Sequence, residues 1–219
     1  YIFQFCVSIS LLTGTAITPG LGRLIGAKEL VKSRIVTESI REIILCISAF
    51  FGGLILIVNK HFVKLWMGEE FFLGTNINLI IVLIMIQLVM FRSEGQIQDL
   101  SLKIKNKVII GGGGAAISII LGIFLYNYLD YSIEGLFIGV LIGRILLNIS
   151  FKKMVNKMLD IKTNYKSFTY LVILITLCYF VGNEISSFDS WISFILFLLL
   201  ISSVLILTCY YLFLSNESR

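Results

Sequence analysis

The chain has 219 residues, of which 58% are hydrophobic and only 14% are charged. A soluble domain of this length cannot bury so much apolar side-chain surface, so the composition excludes an ordinary water-soluble enzyme or binding domain. The net charge of +5 could suggest a nucleic-acid partner, but the positions of the basic residues explain it differently.

Six stretches of the sequence contain no charged residue, and a seventh is interrupted only by Arg144. In chain order, these apolar runs are residues 1–22, 43–59, 71–91, 108–129, 135–151, 167–183 and 190–216. A bilayer core about 30 Å thick needs about 20 residues of α-helix, with a tolerated minimum of about 17. All seven runs are long enough, so the sequence predicts an all-α membrane protein with seven transmembrane helices.

Lysine and arginine residues are concentrated in every second gap between the runs. The gaps after the first, third and fifth runs contain five, four and five of them, whereas the gap after the second run contains only Lys60 and Lys64. The remaining two gaps carry acidic residues, which are Asp130, Glu134, Glu184 and Asp189. Because basic side chains near helix ends are retained in the cytoplasm, the basic gaps are predicted to be cytoplasmic and the others external. This topology places the C-terminus in the cytoplasm and explains the positive net charge without a nucleic-acid partner.

The first gap has a helical pattern of its own. Pro19 lacks a backbone donor, so the first helix is predicted to end or kink there. Beyond it, apolar residues recur at spacings of three and four, which predicts an amphipathic surface helix; they are Leu24, Ala27, Val31 and Ile35. We expect a long helix that begins in the cytoplasmic interface and rises into the membrane near Ile43.

The sequence opens on Tyr1, inside an apolar run, without Met and without the basic segment that begins a signal peptide. We therefore expect these residues to be the C-terminal part of a longer chain. The missing part should contain an odd number of spans if its N-terminus is cytoplasmic. An independent seven-span protein is the alternative interpretation.

Residues that carry catalysis or bind metals are scarce. His61 is predicted to lie in an external loop without another ligand at a metal-binding spacing. The glycine run 111–114 lacks the lysine and hydroxyl residue of a phosphate-binding loop, so close helix packing or a hinge is expected. The cysteines all lie inside apolar runs and are interpreted as small hydrophobic residues; they are Cys6, Cys46, Cys178 and Cys209. We expect no metal, no cofactor and no enzymatic activity.

Arg144 is the only charged residue inside an apolar run. A charge in the middle of a spanning helix costs about 2.5 to 3.5 kcal/mol on insertion scales, so this side chain should face protein or water. Asn148 follows four residues later and shares its helical face. Two interpretations remain open: Arg144 binds an anion in a water-filled cavity, or it reaches the cytoplasmic interface or pairs with Glu94 or Glu134.

Three further residues, on or just after the third run, are candidates to line the same cavity: Asn78, Gln87 and Arg92. Hydrogen bonding between helices is the default role of the amides, including Asn76. No carboxylate lies in an apolar run, whereas a cation-coupled transporter usually places one within the membrane.

Two segments, in their order along the chain, resemble a known family. Residues 19–28 read PGLGRLIGAK and lead into the amphipathic stretch, and residues 63–71 read VKLWMGEEF and lead into the third run. They resemble the polysaccharide-export branch of the multidrug/oligosaccharidyl-lipid/polysaccharide exporter superfamily, which includes the bacterial flippases for O-antigen and capsule repeat units. The similarity covers about residues 1–160.

This resemblance implies a two-lobe exporter of which the chain would be the C-terminal lobe, spans eight to fourteen. Residues 1–160 would form the lobe core, and residues 161–219 would add two transmembrane helices. The implied activity is alternating-access export of undecaprenyl-pyrophosphate-linked oligosaccharide repeat units across the bacterial cytoplasmic membrane, with the missing N-terminal lobe as partner. A cation-coupled multidrug exporter of the same superfamily, a membrane-embedded glycan-assembly enzyme and a structural subunit are the alternatives.

Single cysteines introduced into a variant that lacks the four native cysteines test the orientation. A membrane-impermeant maleimide should label Ser187→Cys in intact spheroplasts, and it should label Asn106→Cys only after the membrane is opened, because basic gaps stay in the cytoplasm. Labelling of Ser187→Cys only after opening would contradict the predicted topology.

Overall fold

A computed structural model describes residues 2–101, 104–128, 133–162, 164–185, 188 and 190–214. Its helices are α1 (Ile2–Gly26), α2 (Leu30–Trp66), α3 (Thr75–Asp99), α4 (Ile104–Tyr128), α5 (Ile133–Leu159), α6 (Lys166–Glu184) and α7 (Trp191–Cys209). A short 3-10 helix, Glu69–Phe71, precedes α3, and a π-helical turn, Tyr210–Leu214, follows α7. Within the described ranges, seven helices are long and apolar enough to cross a membrane. The prediction of an all-α, multi-pass membrane protein is therefore confirmed.

Several residues of the predicted pattern lie outside the described ranges. They include the ends of three apolar runs (residues 1, 129, 215 and 216) and the charged residues Lys103, Asp130, Asp189 and Arg219. The third run begins before its helix, because α3 starts only at Thr75. Gly68 and Gly74 delimit the connection between α2 and α3 with φ values of 114° and 102°, a left-handed conformation that glycine adopts without steric cost.

Of the two outcomes predicted at Pro19, a helix end is wrong, because α1 continues to Gly26; a kink stays a prediction. The Thr18 hydroxyl donates to the Gly14 carbonyl at 2.8 Å in the turn before the proline. Side-chain hydroxyls and local backbone adjustments let membrane helices tolerate proline. The chain turns instead at Lys28, which has a φ of 60°.

The predicted long helix is confirmed, and its start is corrected; its rise into the membrane near Ile43 stays a prediction. It begins at Leu30 and not near Leu24, and it continues without interruption for 37 residues. In its first turns the small polar residues Ser33 and Thr37 are buried, whereas Val31 and Ile35 are 67% and 58% exposed. Apolar side chains that point outward are the reverse of the arrangement in a water-soluble protein and suit a lipid environment.

The chain forms two compact units. Unit 1 comprises residues 1–44 and 84–164, and unit 2 comprises residues 45–83 and 165–219. Helices α2 and α3 each contribute one part to each unit, while α1, α4 and α5 belong to unit 1 and α6 and α7 to unit 2. The division at residue 160 into a lobe core and two added helices stays a prediction.

In unit 1, small residues let α4 and α5 pack backbone against backbone. Glycines recur at every fourth position of α5, and the small buried residues of α4 have the same spacing. A methyl group added at Gly139 would run into the backbone of Gly122, and one added at Gly143 would run into Ser118. Close approach of this kind gives membrane helices the van der Waals contact that holds them together.

The predicted glycine run contributes only one residue to this packing. A methyl group added at Gly114 would collide with Leu147 of α5, so the expected close packing is confirmed at that position. Nothing lies within 4 Å of a methyl group added at Gly111, Gly112 or Gly113.

Two alanine substitutions test this packing, because they are expected to change the thermal stability in opposite directions. Gly139→Ala should lower the thermal stability of the purified protein, because overpacking a tight contact costs about 1 to 3 kcal/mol. Gly112→Ala should leave the stability unchanged or raise it, because alanine favours a helix over glycine by about 1 kcal/mol where space is open. Equal melting temperatures for the two variants in the same detergent would contradict the close packing of α4 and α5.

Candidate functional site

Polar side chains connect α3 and α5 within unit 1. The Asn148 Nδ2 atom donates to the Gln87 carbonyl at 3.1 Å and to the Arg144 carbonyl at 3.0 Å. The Arg144 Nη1 atom lies 3.5 Å from the Ile84 carbonyl oxygen, a long contact for a hydrogen bond. The structure thus brings together three of the residues that the sequence suggested: Gln87, Arg144 and Asn148.

Arg92 is a fourth member of this group. It is exposed and lies close enough to Arg144 for the two guanidinium groups to repel each other. We call Gln87, Arg92, Arg144 and Asn148 the α3–α5 cluster. The two side chains carry the same charge, and an anion bound near both would reduce their repulsion.

The cluster also contains buried acceptors without a donor. The Gln87 Oε1 and Asn148 Oδ1 atoms are inaccessible to solvent and have no hydrogen-bond partner. Leaving such a group unsatisfied costs about 1 to 3 kcal/mol. The cluster therefore holds two unsatisfied acceptor oxygens, closed off from solvent, beside the donor groups of the arginines.

No carboxylate pairs with Arg144 among the described residues. Glu94, one of the partners considered from the sequence, is bound by Arg41: the Nε–Oε1 distance is 2.6 Å and the Nη2–Oε2 distance is 2.8 Å. Both side chains are largely buried, at 15% and 8% exposure. Glu134, the other partner considered, forms no ion pair with Arg144 in the described structure. The charge of Arg144 is therefore not neutralised by either predicted partner.

Lys152 extends the polar face of α5 beyond Asn148. It follows Asn148 by four residues, as Asn148 follows Arg144, and it interacts electrostatically with Arg41 and Glu94. The sequence assigned Lys152 to the topological signal alone. The spacing of four along α5 was the available signal that Lys152 shares a helical face with Arg144 and Asn148.

Asn78 lies in the other unit and ties two helices together. Its Oδ1 atom accepts a hydrogen bond of 3.0 Å from the Asn59 Nδ2 atom of α2. Asn76 accepts one of 3.0 Å from the Tyr179 hydroxyl of α6. Both residues thus make the interhelical hydrogen bonds named as their default role, and the hydrogen bonds do not connect Asn78 to the α3–α5 cluster.

His61 is not in an external loop, which corrects the sequence interpretation. It lies inside α2, because that helix continues past the apolar run to Trp66, and it is 1% exposed. Its ring packs edge to face on Phe188, with the centroids 5.1 Å apart, and neither ring nitrogen has a hydrogen-bond partner. Within the described part of the chain, no three His, Cys, Asp or Glu residues are arranged to hold a metal ion.

Comparisons with known proteins add no relative. No protein-family model, no curated protein and no solved structure matches the chain. Arguments about function therefore start from the residues of the chain itself.

The pairing of Glu94 can be tested by double-variant analysis of thermal stability. Arg41→Ala should destabilise the protein by about 3 to 5 kcal/mol, because it leaves a buried carboxylate without its partner. Much of that loss should disappear in a Glu94→Gln background. Lys32→Ala is the control and should cost about 1 kcal/mol or less, because its ion pair with Glu29 is exposed.

The same measurement distinguishes the two candidate partners of Glu94. Arg144→Ala and Glu94→Gln should have additive effects, since the structure gives them no contact. A coupling energy between Arg144 and Glu94 as large as that between Arg41 and Glu94 would contradict the pairing described above.

Proposed function

We propose that this chain is part of a flippase that moves lipid-linked oligosaccharide repeat units across the bacterial cytoplasmic membrane. The carried molecule would be an undecaprenyl-pyrophosphate-linked sugar, whose head group is anionic. The proposal is supported by the family resemblance of residues 19–28 and 63–71, by the multi-pass architecture and by the α3–α5 cluster.

One observation carries the proposal: Arg144 is a cation within a spanning helix that no described carboxylate neutralises. Such a charge is costly in a membrane, and intramembrane charges commonly mark the path of a substrate or ion. Arg92 adds a second cation nearby. Two guanidinium groups can bind the several oxygens of a pyrophosphate in bidentate fashion, which a cationic drug could not exploit.

The remaining members of the cluster suit the sugar part of such a head group. The Gln87 Oε1 and Asn148 Oδ1 atoms are closed off from solvent in this conformation, so they would accept hydrogen bonds from sugar hydroxyls only in a state of the cycle that exposes them. In an alternating-access cycle, two lobes would rock about the membrane midplane while the head group crosses the polar cavity and the prenyl tail stays in lipid. This chain would form one lobe and one wall of the cavity, and the partner lobe would form the opposite wall.

A cation-coupled multidrug exporter is the second candidate, and Glu94 is the observation that favours it. This carboxylate is buried in α3, where a coupling cation could be bound. Both of its oxygens are engaged by Arg41, however, so a cation would first have to displace a bidentate ion pair. The arrangement favours the anionic substrate.

Substitutions of Arg144 test the proposed function when they are made in the complete protein and produced in its native cell. Arg144→Ala should abolish delivery of polysaccharide to the cell surface while the amount of protein in the membrane stays near normal. Arg144→Lys should retain part of the activity, because lysine keeps the charge and loses the two-pronged geometry. Lys157→Ala, an exposed position on the same helix, is the matched control and should export normally.

Export and membrane abundance have to be measured together. A variant that loses both would indicate a structural role for Arg144 instead of a substrate contact. Normal export by Arg144→Ala would contradict the anion-binding assignment, whatever the abundance.

A further inference from the structure

Two buried oxygens of unit 1, both outside the α3–α5 cluster, have no hydrogen-bond partner within the described part of the protein. They are the Thr37 Oγ1 atom of α2 and the Gln98 Oε1 atom of α3. Thr37 is 0% exposed and Gln98 is 5% exposed. An unsatisfied polar group in such a position is costly, and native proteins rarely keep one. These two oxygens therefore indicate a hydrogen-bonding ligand.

The ion pair of Arg41 and Glu94 places the two residues at one level of the structure. The helices α2 and α3 are consecutive and joined by a short connection, so they run in opposite directions. Thr37 lies four residues before Arg41 on α2, and Gln98 lies four residues after Glu94 on α3. Residues four apart share a face of a helix. Thr37 and Gln98 therefore face each other one helical turn from the ion pair.

A third helix, α5, reaches the same level. It runs in the same direction as α3, because the contacts between α3 and α5 advance along both helices together. It is therefore antiparallel to α2. The Arg34 Nε atom of α2 donates to the Leu159 carbonyl of α5 at 2.7 Å. Thr37 lies three residues after Arg34, and Asn156 lies three residues before Leu159, so Asn156 is level with Thr37.

We call Thr37, Gln98 and Asn156 the buried polar layer. Asn156 is 9% exposed, so all three side chains are at least nine-tenths buried. Each comes from a different helix of unit 1, and each carries a neutral polar group. A ligand within the layer is therefore surrounded by hydroxyl and amide groups and has little contact with solvent.

The charges on either side of the layer determine which kind of ligand it accepts. One turn away on the first side, Glu94 binds Arg41 and interacts electrostatically with Lys152, which leaves one positive charge in excess. One turn away on the other side, Arg34 and Asp160 balance each other at 2.6 Å. A cation in the layer would be repelled by the excess positive charge. An anion would face two acceptor oxygens, so the layer suits a neutral donor.

Water is a neutral donor small enough for such a layer, and it has a short way in. The side chains of Arg34 and Asp160 are 34% and 88% exposed, so the layer lies one turn from solvent at the predicted cytoplasmic end. A buried water typically makes about three hydrogen bonds to polar groups that lack other partners.

We propose that Thr37, Gln98 and Asn156 form a binding site for one ordered water molecule that links α2, α3 and α5. The water donates one hydrogen to the Gln98 Oε1 atom, accepts the Thr37 hydroxyl hydrogen and directs its second hydrogen toward the Asn156 amide. It joins the three helices one turn from the buried ion pair and supports the packing that holds Arg41 against Glu94. This inference concerns unit 1 alone and does not depend on the proposed flippase activity or on Arg144.

Thr37→Val tests the site, because valine keeps the shape of threonine and removes only the hydroxyl group. Loss of the hydrogen bond to water should lower the melting temperature of the purified full chain by about 2 to 4 °C. In a dry layer the same change would remove an unsatisfied buried hydroxyl and leave the melting temperature unchanged or raised, which would overturn the proposal.

Thr176→Val is the matched control for this substitution. The Thr176 hydroxyl is exposed and donates to the Val172 carbonyl of its own helix at 2.8 Å. The control should therefore lower the melting temperature less than Thr37→Val does. Equal losses in the two variants would also overturn the site.

Gln98→Leu tests whether Thr37 and Gln98 share one ligand. Either single substitution weakens the binding of the same water, so the loss in the double variant should be smaller than the sum of the two single losses. Additive losses of melting temperature would show that the two residues do not share a water.

Melting in different salts distinguishes water from a bound cation. The unsubstituted protein should have the same melting temperature in sodium, potassium and choline chloride at equal ionic strength. A stabilisation by sodium or potassium that disappears in Thr37→Val would overturn the assignment to water, because it would show that a cation occupies the layer.

Discussion

The hydrocarbon core of a bilayer offers no water for hydrogen bonding, so polar groups in it need partners within the protein. Helices meet this requirement for the backbone, which accounts for the architecture. A few polar side chains then need partners of their own, and the protein supplies such partners to some of them only. Arg41 and Glu94, which lie in the predicted cytoplasmic gaps, satisfy each other through two short hydrogen bonds. Arg144, inside an apolar run, has only a long contact to a backbone carbonyl.

Close packing of α4 and α5 determines where Arg144 points. The glycine stripe of α5 ends at Gly143, which packs on Ser118, and Arg144 is the next residue, turned by about 100° around the helix. The glycines of α5 recur at every fourth residue, and so do Arg144 and Asn148. Packing the glycines against α4 therefore directs Arg144 and Asn148 toward α3. Farther along, the Phe91 ring of α3 contacts the Phe151 ring of α5, with the ring centroids 4.7 Å apart, and this contact also holds α3 and α5 together. The glycines of α5 thus determine the direction in which the Arg144 side chain points.

The sequence was sufficient for the number of apolar helices and for residues that share a face of one helix, but not for the ends of α1 and α2. It predicted the seven helices from their apolar length and the shared face of Arg144 and Asn148 from their spacing. It did not predict the pairing of Arg41 with Glu94, because those residues are 53 positions apart and meet only once α2 packs on α3. His61 was misplaced for a related reason: the adjacent Lys60 suggested a loop, but α2 continues past the end of its apolar run.

Two partly buried arginines of unit 1, Arg41 and Arg144, differ in how their charge is balanced. Arg41 demonstrates that this chain can supply a carboxylate where a buried cation has to be neutralised. At Arg144 no described carboxylate is supplied, and the nearby charge is another arginine, Arg92. Local arrangements that raise the energy of a folded protein persist mainly where function requires them. In the proposed transport cycle, an anion bound at the cluster would relieve this repulsion in one state and leave it in the other. That difference between states is what a substrate needs in order to shift a conformational equilibrium.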